Sequence, residues 1–284
     1  MAAIGIHLPQ LVERPTPAAA AQAVQCAVAA ERLGYDAVSV NDHVVYHSPW
    51  LDGPTLLAAA AARTTTIRLA TTVLLPAVRG AAVTAQTLEA LQLVSGGRLI
   101  AGLGAGSHRG DYDACDQSFE RRGAAFEAAV VELKARCPDG PPLWIGSWGA
   151  PTALRRVARL ADGWVASAYA ATPATFAARW TQLQELVAAE GRDPEAFRNI
   201  VATLFFCIDD DPRAAEDVIA RRLAPALGKT PAELLPHTAY GTAEHVRERI
   251  DEYAEAGAHQ IHLWPAADPL RQIEALAEAV LSRA

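Results

Sequence analysis

The chain has 284 residues, of which 51% are hydrophobic and 20% are charged, as is usual for a globular enzyme whose core is large enough to need no disulfide. Its formal net charge of −7 makes nucleic acid and anionic membrane surfaces unsuitable partners. The four cysteines lack CxxC spacing and no basic, apolar leader precedes the first predicted strand, so we expect a cytoplasmic protein without a membrane span.

Short apolar runs rich in β-formers alternate with longer helical patterns along the chain. Eight strands are predicted, near residues 3–8, 37–41, 67–74, 98–103, 143–146, 163–167, 199–207 and 259–264. The predicted helices lie near 18–33, 53–63, 81–94, 119–136, 150–161, 173–190, 212–227 together with 242–256, and 268–282. Eight βα units predict an α/β protein of the (β/α)8 TIM-barrel type, with residues 1–284 as a single domain. A doubly wound sheet is disfavoured because residues 5–10 lack the phosphate fingerprint of its first unit.

The second predicted strand ends in Asn41-Asp42-His43, which puts an acid and an imidazole at the carboxyl rim of the barrel. Active sites of TIM barrels lie at this rim. His43 is therefore predicted to be a general acid or base, with Asp42 setting its tautomer or touching a cofactor. The alternative is a pair that caps the following helix. His47 follows four residues later, but no third ligand with suitable spacing accompanies it, so no metal site is expected.

Small residues follow the fourth and fifth predicted strands. The segment 102–107 favours either the close approach of a flat or phosphorylated ligand, or a tight turn. The segment 147–152 leads into a helix with Pro151 at its first position, which favours either a bound phosphate or an ordinary helix start. Of the two longest aperiodic stretches, 104–118 is predicted on the catalytic face. The other, 228–241, joins two outer helices and is predicted to be a weaker site candidate.

Four further side chains lie at or near the carboxyl ends of predicted strands. They are predicted to line the mouth of the site and to contact a small-molecule substrate: His7, His108, Tyr169 and Trp264. A rim of aromatic rings and imidazoles suits a planar or carbonyl-bearing molecule.

Several segments, taken in this order, resemble the luciferase-like monooxygenase family of flavin and deazaflavin enzymes. The resemblance is carried by residues 30–36, 41–43, 67–74, 95–104, 153–156, 161–164, 241–244 and 256–258. It implies a barrel that binds FMN or coenzyme F420 across the carboxyl face, with His43 beside the reacting face of the flavin, where it transfers or stabilises a proton. Thr71, Thr72 and Val73 would pack behind the isoalloxazine, and deazaflavin members often have a cis bond where this chain has Thr72–Val73.

The resemblance also implies which residues surround the phosphate and ribityl chain of the cofactor. They are Gly104, Ala105, Gly106, Ser107, Ser147, Trp148, Gly149, Ala150 and Thr152. The chain departs from the family pattern in having Ser147-Trp148 where two glycines are common, and in lacking an insertion before strand five. Ser107 and Ala170 stand where the sugar-phosphate dehydrogenase branch has an acid and a lysine, which disfavours that branch.

The main hypothesis is an F420-dependent oxidoreductase that moves a hydride between the deazaflavin and a small organic substrate, with His43 as proton donor or acceptor. The first alternative is an FMN-dependent monooxygenase of the same family, in which reduced flavin reacts with oxygen. The second is a flavin-binding barrel without turnover. Because family members are often dimers, a homodimer is also implied by the resemblance.

Overall fold

The structure is a computed structural model that describes residues 2–281. Nine parallel strands form one sheet: β1 Ala3–His7, β2 Ala37–Val40, β3 Arg68–Leu74, β4 Leu99–Leu103, β5 Leu143–Gly146, β6 Gly163–Ser167, β7 Arg198–Ile208, β8 Ala239–Gly241 and β9 Gln260–Pro265. The strand order is β6-β5-β4-β3-β2-β1-β9-β7-β8, and β6 also pairs with β7. This last pairing closes eight strands into a barrel, so the predicted (β/α)8 TIM barrel is confirmed.

Helices lie in the connections between the strands. They are α1 Pro17–Leu33, α2 Gly53–Ala61, α3 Pro76–Arg79, α4 Ala81–Val94, α5 Arg109–Asp113, α6 Arg122–Arg136, α7 Pro151–Leu160, α8 Pro173–Ala189, α9 Pro212–Val218, α10 Ala224–Ala226, α11 Pro231–Leu234, α12 Ala243–Glu255 and α13 Pro269–Val280. Many begin in the same way, with a capping oxygen followed by proline, as where Thr16 accepts from the amide of Ala19 ahead of Pro17. No helix within residues 2–281 is both long and apolar enough to cross a membrane.

The structure departs from the predicted elements in several places, among them short helices that were not predicted, such as α3, α5 and α11. The ninth strand, β8, was not predicted, because three residues are too few to show an alternating pattern. It pairs with the end of β7, which is 11 residues long and continues past the barrel. The predicted helix 212–227 contains a π-helical stretch over Ile219–Leu223, and the predicted helix 119–136 begins only at Arg122. Residue 282 of the last predicted helix lies outside the described residues.

The barrel interior pairs glycines with large rings on neighbouring strands. A Cβ at Gly5 would lie 2.6 Å from the His262 ring, and one at Gly163 would lie 2.4 Å from the Trp144 ring. The strands can therefore approach only because these positions carry no side chain. This packing fills the lower part of the barrel, and the open volume lies at the carboxyl ends of the strands.

Candidate active site

A cavity of about 860 Å³ opens at the carboxyl ends of the strands. Its volume lies in the range of pockets that hold drug-sized ligands and cofactors. Most of the residues that the sequence singled out lie in its wall: Asp42, His43, Thr72, Val73, Gly104, Ala105, Gly106, Ser107, His108, Ser147, Trp148, Ala150, Thr152, Tyr169 and Trp264. His7, Thr71 and Gly149 do not line it.

His43 is held by an acid that the sequence analysis missed. Its Nδ1 lies 2.8 Å from Oδ2 of Asp111, whose side chain is fully buried, while the imidazole is 19% exposed. The other carboxylate oxygen accepts from the amides of Val44 and Val45 at 2.7 and 3.0 Å. Burial alone would raise the pKa of Asp111, but these hydrogen bonds outweigh it and hold the pKa below its usual value. An ionised carboxylate only accepts, so Nδ1 of His43 carries the proton and Nε2 is the basic nitrogen.

Asp42 does not set the tautomer of His43, and that part of the expectation is wrong; it does line the cavity, so its contact with a cofactor stays a prediction. Its buried carboxylate accepts two hydrogen bonds from the guanidinium of Arg79, at 2.7 and 2.8 Å, and a third from the amide of Leu75 at 3.0 Å. Arg79 also pairs with Asp52, which caps α2. A carboxylate with these partners has a structural role, because it joins the loop after β3 to the start of α2.

Aromatic rings surround His43 on its cavity side. Tyr46 and Trp50 lie 4.3 and 4.7 Å from its ring centroid, and His108 lies at 5.9 Å. Burial raises the pKa of Tyr46 to about 12, so its hydroxyl stays protonated at neutral pH. Tyr46 and Trp50 belong to the loop after β2, whose irregular pattern gave no signal for them beyond their nearness to His43.

His7 lies below the cavity, and the expectation that it contacts a substrate is wrong. It is fully buried and stacks on Trp264 with ring centroids 3.6 Å apart and planes 10° from parallel. Burial lowers the pKa of His7 to about 3, so it is neutral. Trp264 is the residue that reaches the cavity, since it comes two positions after His262, on the same inward face of β9.

Val73 of β3 lies against two glycines, Gly104 just after β4 and Gly146 at the end of β5. A Cβ at Gly104 would lie 2.3 Å from Val73 Cγ2, and one at Gly146 would lie 2.8 Å from Cγ1. The Thr72–Val73 peptide bond is cis, as the resemblance implied. Thr71 is buried instead of lining the cavity, because its hydroxyl donates to the carbonyl of Gly102 at 2.7 Å; the expected contact of its side chain with a cofactor is wrong.

The far end of the cavity is cationic. Helix α7 begins at Pro151 without a side-chain cap, as the sequence predicted, and Ala150 and Thr152 line the cavity there. Two arginines that the sequence analysis missed, Arg122 and Arg156, also line the cavity, together with Glu120, whose carboxylate is paired with Arg109. Positive side chains at a helix start favour an anion such as phosphate.

Contacts hold this cationic end in place. Arg156 donates to Glu127 at 3.2 Å, and the guanidinium of Arg122 lies 4.1 Å from the centroid of the Phe119 ring. Gly149 has a φ of +88°, and a Cβ there would lie 2.2 Å from Arg179, so only glycine fits this position. Gly149 is outside the lining of the cavity, and its contact with a cofactor stays a prediction.

Residues 226–237, which we call the lid segment, lie along one side of the cavity and its adjoining recess. The carbonyl of Ala226 accepts a hydrogen bond from the hydroxyl of Ser48 at 3.1 Å. The carbonyl of Leu227 accepts one from the hydroxyl of Tyr46 at 3.4 Å. Leu227, Gly228 and Lys229 line the main cavity, and Lys229 also lines a recess of about 380 Å³ beside it. The segment 228–241, predicted to be a weaker site candidate, contributes Gly228 and Lys229 to the cavity wall.

The family model described as luciferase-like monooxygenase matches residues 4–135 and 117–232. The chain belongs to the luciferase-like monooxygenase family. The resemblance found in the sequence is thereby confirmed, and membership identifies this luciferase-like protein as an enzyme of the oxidoreductase class.

Two curated relatives are similar to this luciferase-like chain in sequence. The 5,10-methylenetetrahydromethanopterin reductase of Methanolobus tindarius is 28% identical over 209 residues, covering 66% of this chain and 61% of the relative. The chain thus spans less than two thirds of that relative's length. An F420-dependent glucose-6-phosphate dehydrogenase of Beutenbergia cavernae is 27% identical over 310 residues, covering 90% of this chain and 91% of the relative.

Two solved structures share the fold along nearly the whole chain. An F420-dependent secondary alcohol dehydrogenase in complex with an F420–acetone adduct has a TM-score of 0.81 at 19% identity, covering 99% of this chain and 98% of the other. The oxygenating constituent of 3,6-diketocamphane monooxygenase from Pseudomonas putida, in complex with FMN, has a TM-score of 0.76 at 17% identity, covering 100% and 99%.

Proposed function

We propose that this luciferase-like protein is an F420-dependent oxidoreductase that transfers a hydride between the deazaflavin and a small organic substrate. The observation that carries the proposal is the His43–Asp111 pair in the wall of a cofactor-sized cavity. Relatives named as F420-dependent enzymes support the choice of cofactor. A sugar phosphate is disfavoured as substrate. Ser107 and Ala170 stand where the sugar-phosphate dehydrogenase branch of the family has an acid and a lysine.

The residues present fit a flavin-like group with a phosphate. Arg122, Arg156 and the start of α7 give one end of the cavity a donor set suited to an anion. At the level of β3 to β5 the cavity wall is made by Val73 and the small residues around it, Gly104 and Gly146, which allow a flat ring to approach the backbone closely. We expect the phosphate at the first of these regions and the ring at the second.

When bound, the deazaflavin supplies the carbon that accepts or donates the hydride. Asp111 keeps the proton on Nδ1 of His43 and so directs Nε2 to the substrate. Nε2 takes the proton of a substrate alcohol as the alcohol is oxidised, and it returns that proton when a carbonyl is reduced. The rings of Tyr46, Trp50 and Trp264 exclude water around this nitrogen.

A titration of the purified protein with oxidised F420, and separately with FMN, tests the proposal through the fluorescence of each cofactor. We expect F420 to bind with a dissociation constant of about micromolar or lower, and FMN to bind more weakly. A preference for FMN would overturn the proposal in favour of the monooxygenase. Binding of F420 without bleaching by any hydride donor would favour the barrel without turnover, and binding of neither cofactor would remove the redox function altogether.

A further inference from the structure

Three imidazoles form a row along one wall of the cavity. The His43 and His108 ring centroids are 5.9 Å apart, and those of His108 and His47 are 5.1 Å apart. The row ends at the lid segment, because the backbone of Gly228 lies against His47 so closely that a Cβ there would be 2.9 Å from its ring. The row of imidazoles therefore runs from His43, the proposed reacting position, to Gly228, which immediately precedes Lys229.

Lys229 is one of only two lysines in the chain. Its ammonium lies 3.4 Å from Glu233, with side chains 37% and 53% exposed. A half-exposed pair of this kind is weak, so the ammonium can exchange its partner for a better-placed anion. The other lysine, Lys134, is on α6 and lies 3.7 Å from Asp162, in the turn before β6 at the opposite end of the barrel.

Aromatic rings line the same cavity as His43 and Lys229. The centroids of Tyr46 and Trp50 are 5.1 Å apart, those of Trp50 and Trp264 are 5.5 Å apart, and those of Trp264 and Phe205 are 4.8 Å apart. Side chains of this kind favour a flat, apolar body through stacking and edge contacts. The guanidinium groups of Arg122 and Arg156, beside the start of α7, suit a phosphate better, whereas a single ammonium suits a carboxylate.

We propose that the substrate is a planar aromatic acid whose carboxylate is bound by Lys229 of the lid segment while its alcohol or carbonyl lies at His43. The inference rests on the proposed function for the position of the reacting group, but not for the binding of the carboxylate. Glu233 is the acidic group that competes with the substrate for Lys229.

Calorimetric titration of the full chain with benzoate and with benzamide, a neutral molecule of the same shape, tests the inference without a cofactor. We expect benzoate to bind more tightly than benzamide, and Lys229→Met to weaken benzoate roughly five- to tenfold while leaving benzamide unchanged. Lys134→Met is the matched control and should bind benzoate as the wild type does. Glu233→Gln keeps a side chain able to cap α11 but removes the competing charge, and it should strengthen benzoate binding about two- to fourfold.

Several outcomes would overturn the inference: no measurable binding of benzoate, equal binding of benzoate and benzamide, or an equal loss in both lysine variants. Loss of benzoate binding in Arg156→Leu but not in Lys229→Met would place the anion at the cationic end instead and would also overturn it. An F420 titration of the same samples separates the two proposals. Benzoate binding that depends on Lys229 in a protein that binds no F420 would retain the ligand class and overturn the cofactor.

Discussion

At the scale of single residues, the site depends on the carboxylate of Asp111, whose two oxygens bind different partners. One oxygen accepts a hydrogen bond from His43 and the other accepts hydrogen bonds from two consecutive backbone amides. Both oxygens therefore have partners, and these fix the position of the carboxylate. A charged hydrogen bond inside a protein is stronger than one in water. The imidazole is therefore oriented before any ligand arrives.

Replacing His43 by alanine should lower turnover by roughly 10²–10⁴-fold, the usual contribution of a general acid or base. The dissociation constant for F420 should change little, because the anion-binding end of the cavity is remote from this ring. Steady-state kinetics and cofactor fluorescence on the same preparation measure the two quantities. His245→Ala, on the exposed start of α12, is the control; turnover close to wild type in His43→Ala would contradict the assignment.

Replacing Asp111 by asparagine should lower the free energy of unfolding at neutral pH by about 1–3 kcal/mol, because a buried charged acceptor is lost. The pKa of Asp111 is lowered in the fold, so its contribution is present above the unfolded value and is lost as pH falls through the folded value. The difference between wild type and variant should thus shrink below about pH 4. Urea unfolding at several pH values measures it, and a difference that does not depend on pH would show that the charge is unimportant.

At the scale of elements, helix α7 presents two arginines that differ in what they reach. Arg156 lines the cavity, whereas Arg159, one helical turn later, contacts the same Glu127 from outside it. Both share one acidic partner and one helix, so they form a matched pair. Any difference between their variants reports on the cavity rather than on the stability of α7.

Arg156→Leu should weaken F420 binding by roughly tenfold or more, the size of one charge-assisted contact to a phosphate. Arg159→Leu should leave the dissociation constant within about twofold of the wild type. The fluorescence titration is the measurement, repeated at low and high salt because screening should reduce the effect. Equal losses in both variants would instead indicate a general effect of charge on α7.

At the scale of the whole molecule, the barrel interior contains two neutral histidines. Burial lowers the pKa of both His7 and His262 to about 3, and both nitrogens of His262 lack a hydrogen-bond partner within the described part of the chain. Protonation of either ring in the fold would place a charge in the core, which is far more costly than protonation in the unfolded chain.

The unfolded chain therefore binds more protons than the fold between pH 6.5 and about 3. The free energy of unfolding should fall with decreasing pH in this window by about 1.4 kcal/mol per pH unit for each histidine. In His262→Gln, the slope of the unfolding free energy against pH should fall by the contribution of one histidine. In the exposed control His245→Gln, this slope should be unchanged. Urea unfolding between neutral and mildly acidic pH measures both slopes, and an unchanged slope in His262→Gln would show that this ring is protonated in the fold.

The residue pattern alone determined the barrel, its strands to within a few residues, and the rim position of His43. Alternating βα patterns and turn signals can be read from short stretches of sequence. Because active sites of such barrels lie at the carboxyl ends of the strands, these patterns also predict where the site lies. The order of weak motifs from residue 30 to residue 258 determined the family.

The partners of each polar group were decided only by the tertiary structure. Asp42 is adjacent to His43 in sequence, yet neighbouring side chains point in different directions, and the acid that reaches the imidazole is Asp111, 68 positions later. Similarly, Ala226 and Leu227 of the lid segment bind Ser48 and Tyr46 across 178 and 181 residues of sequence, and the residue pattern of neither segment predicts these contacts. Periodicity reports which face of an element is buried, whereas a site is made by contacts between elements, and those depend on how the closed barrel brings distant loops together.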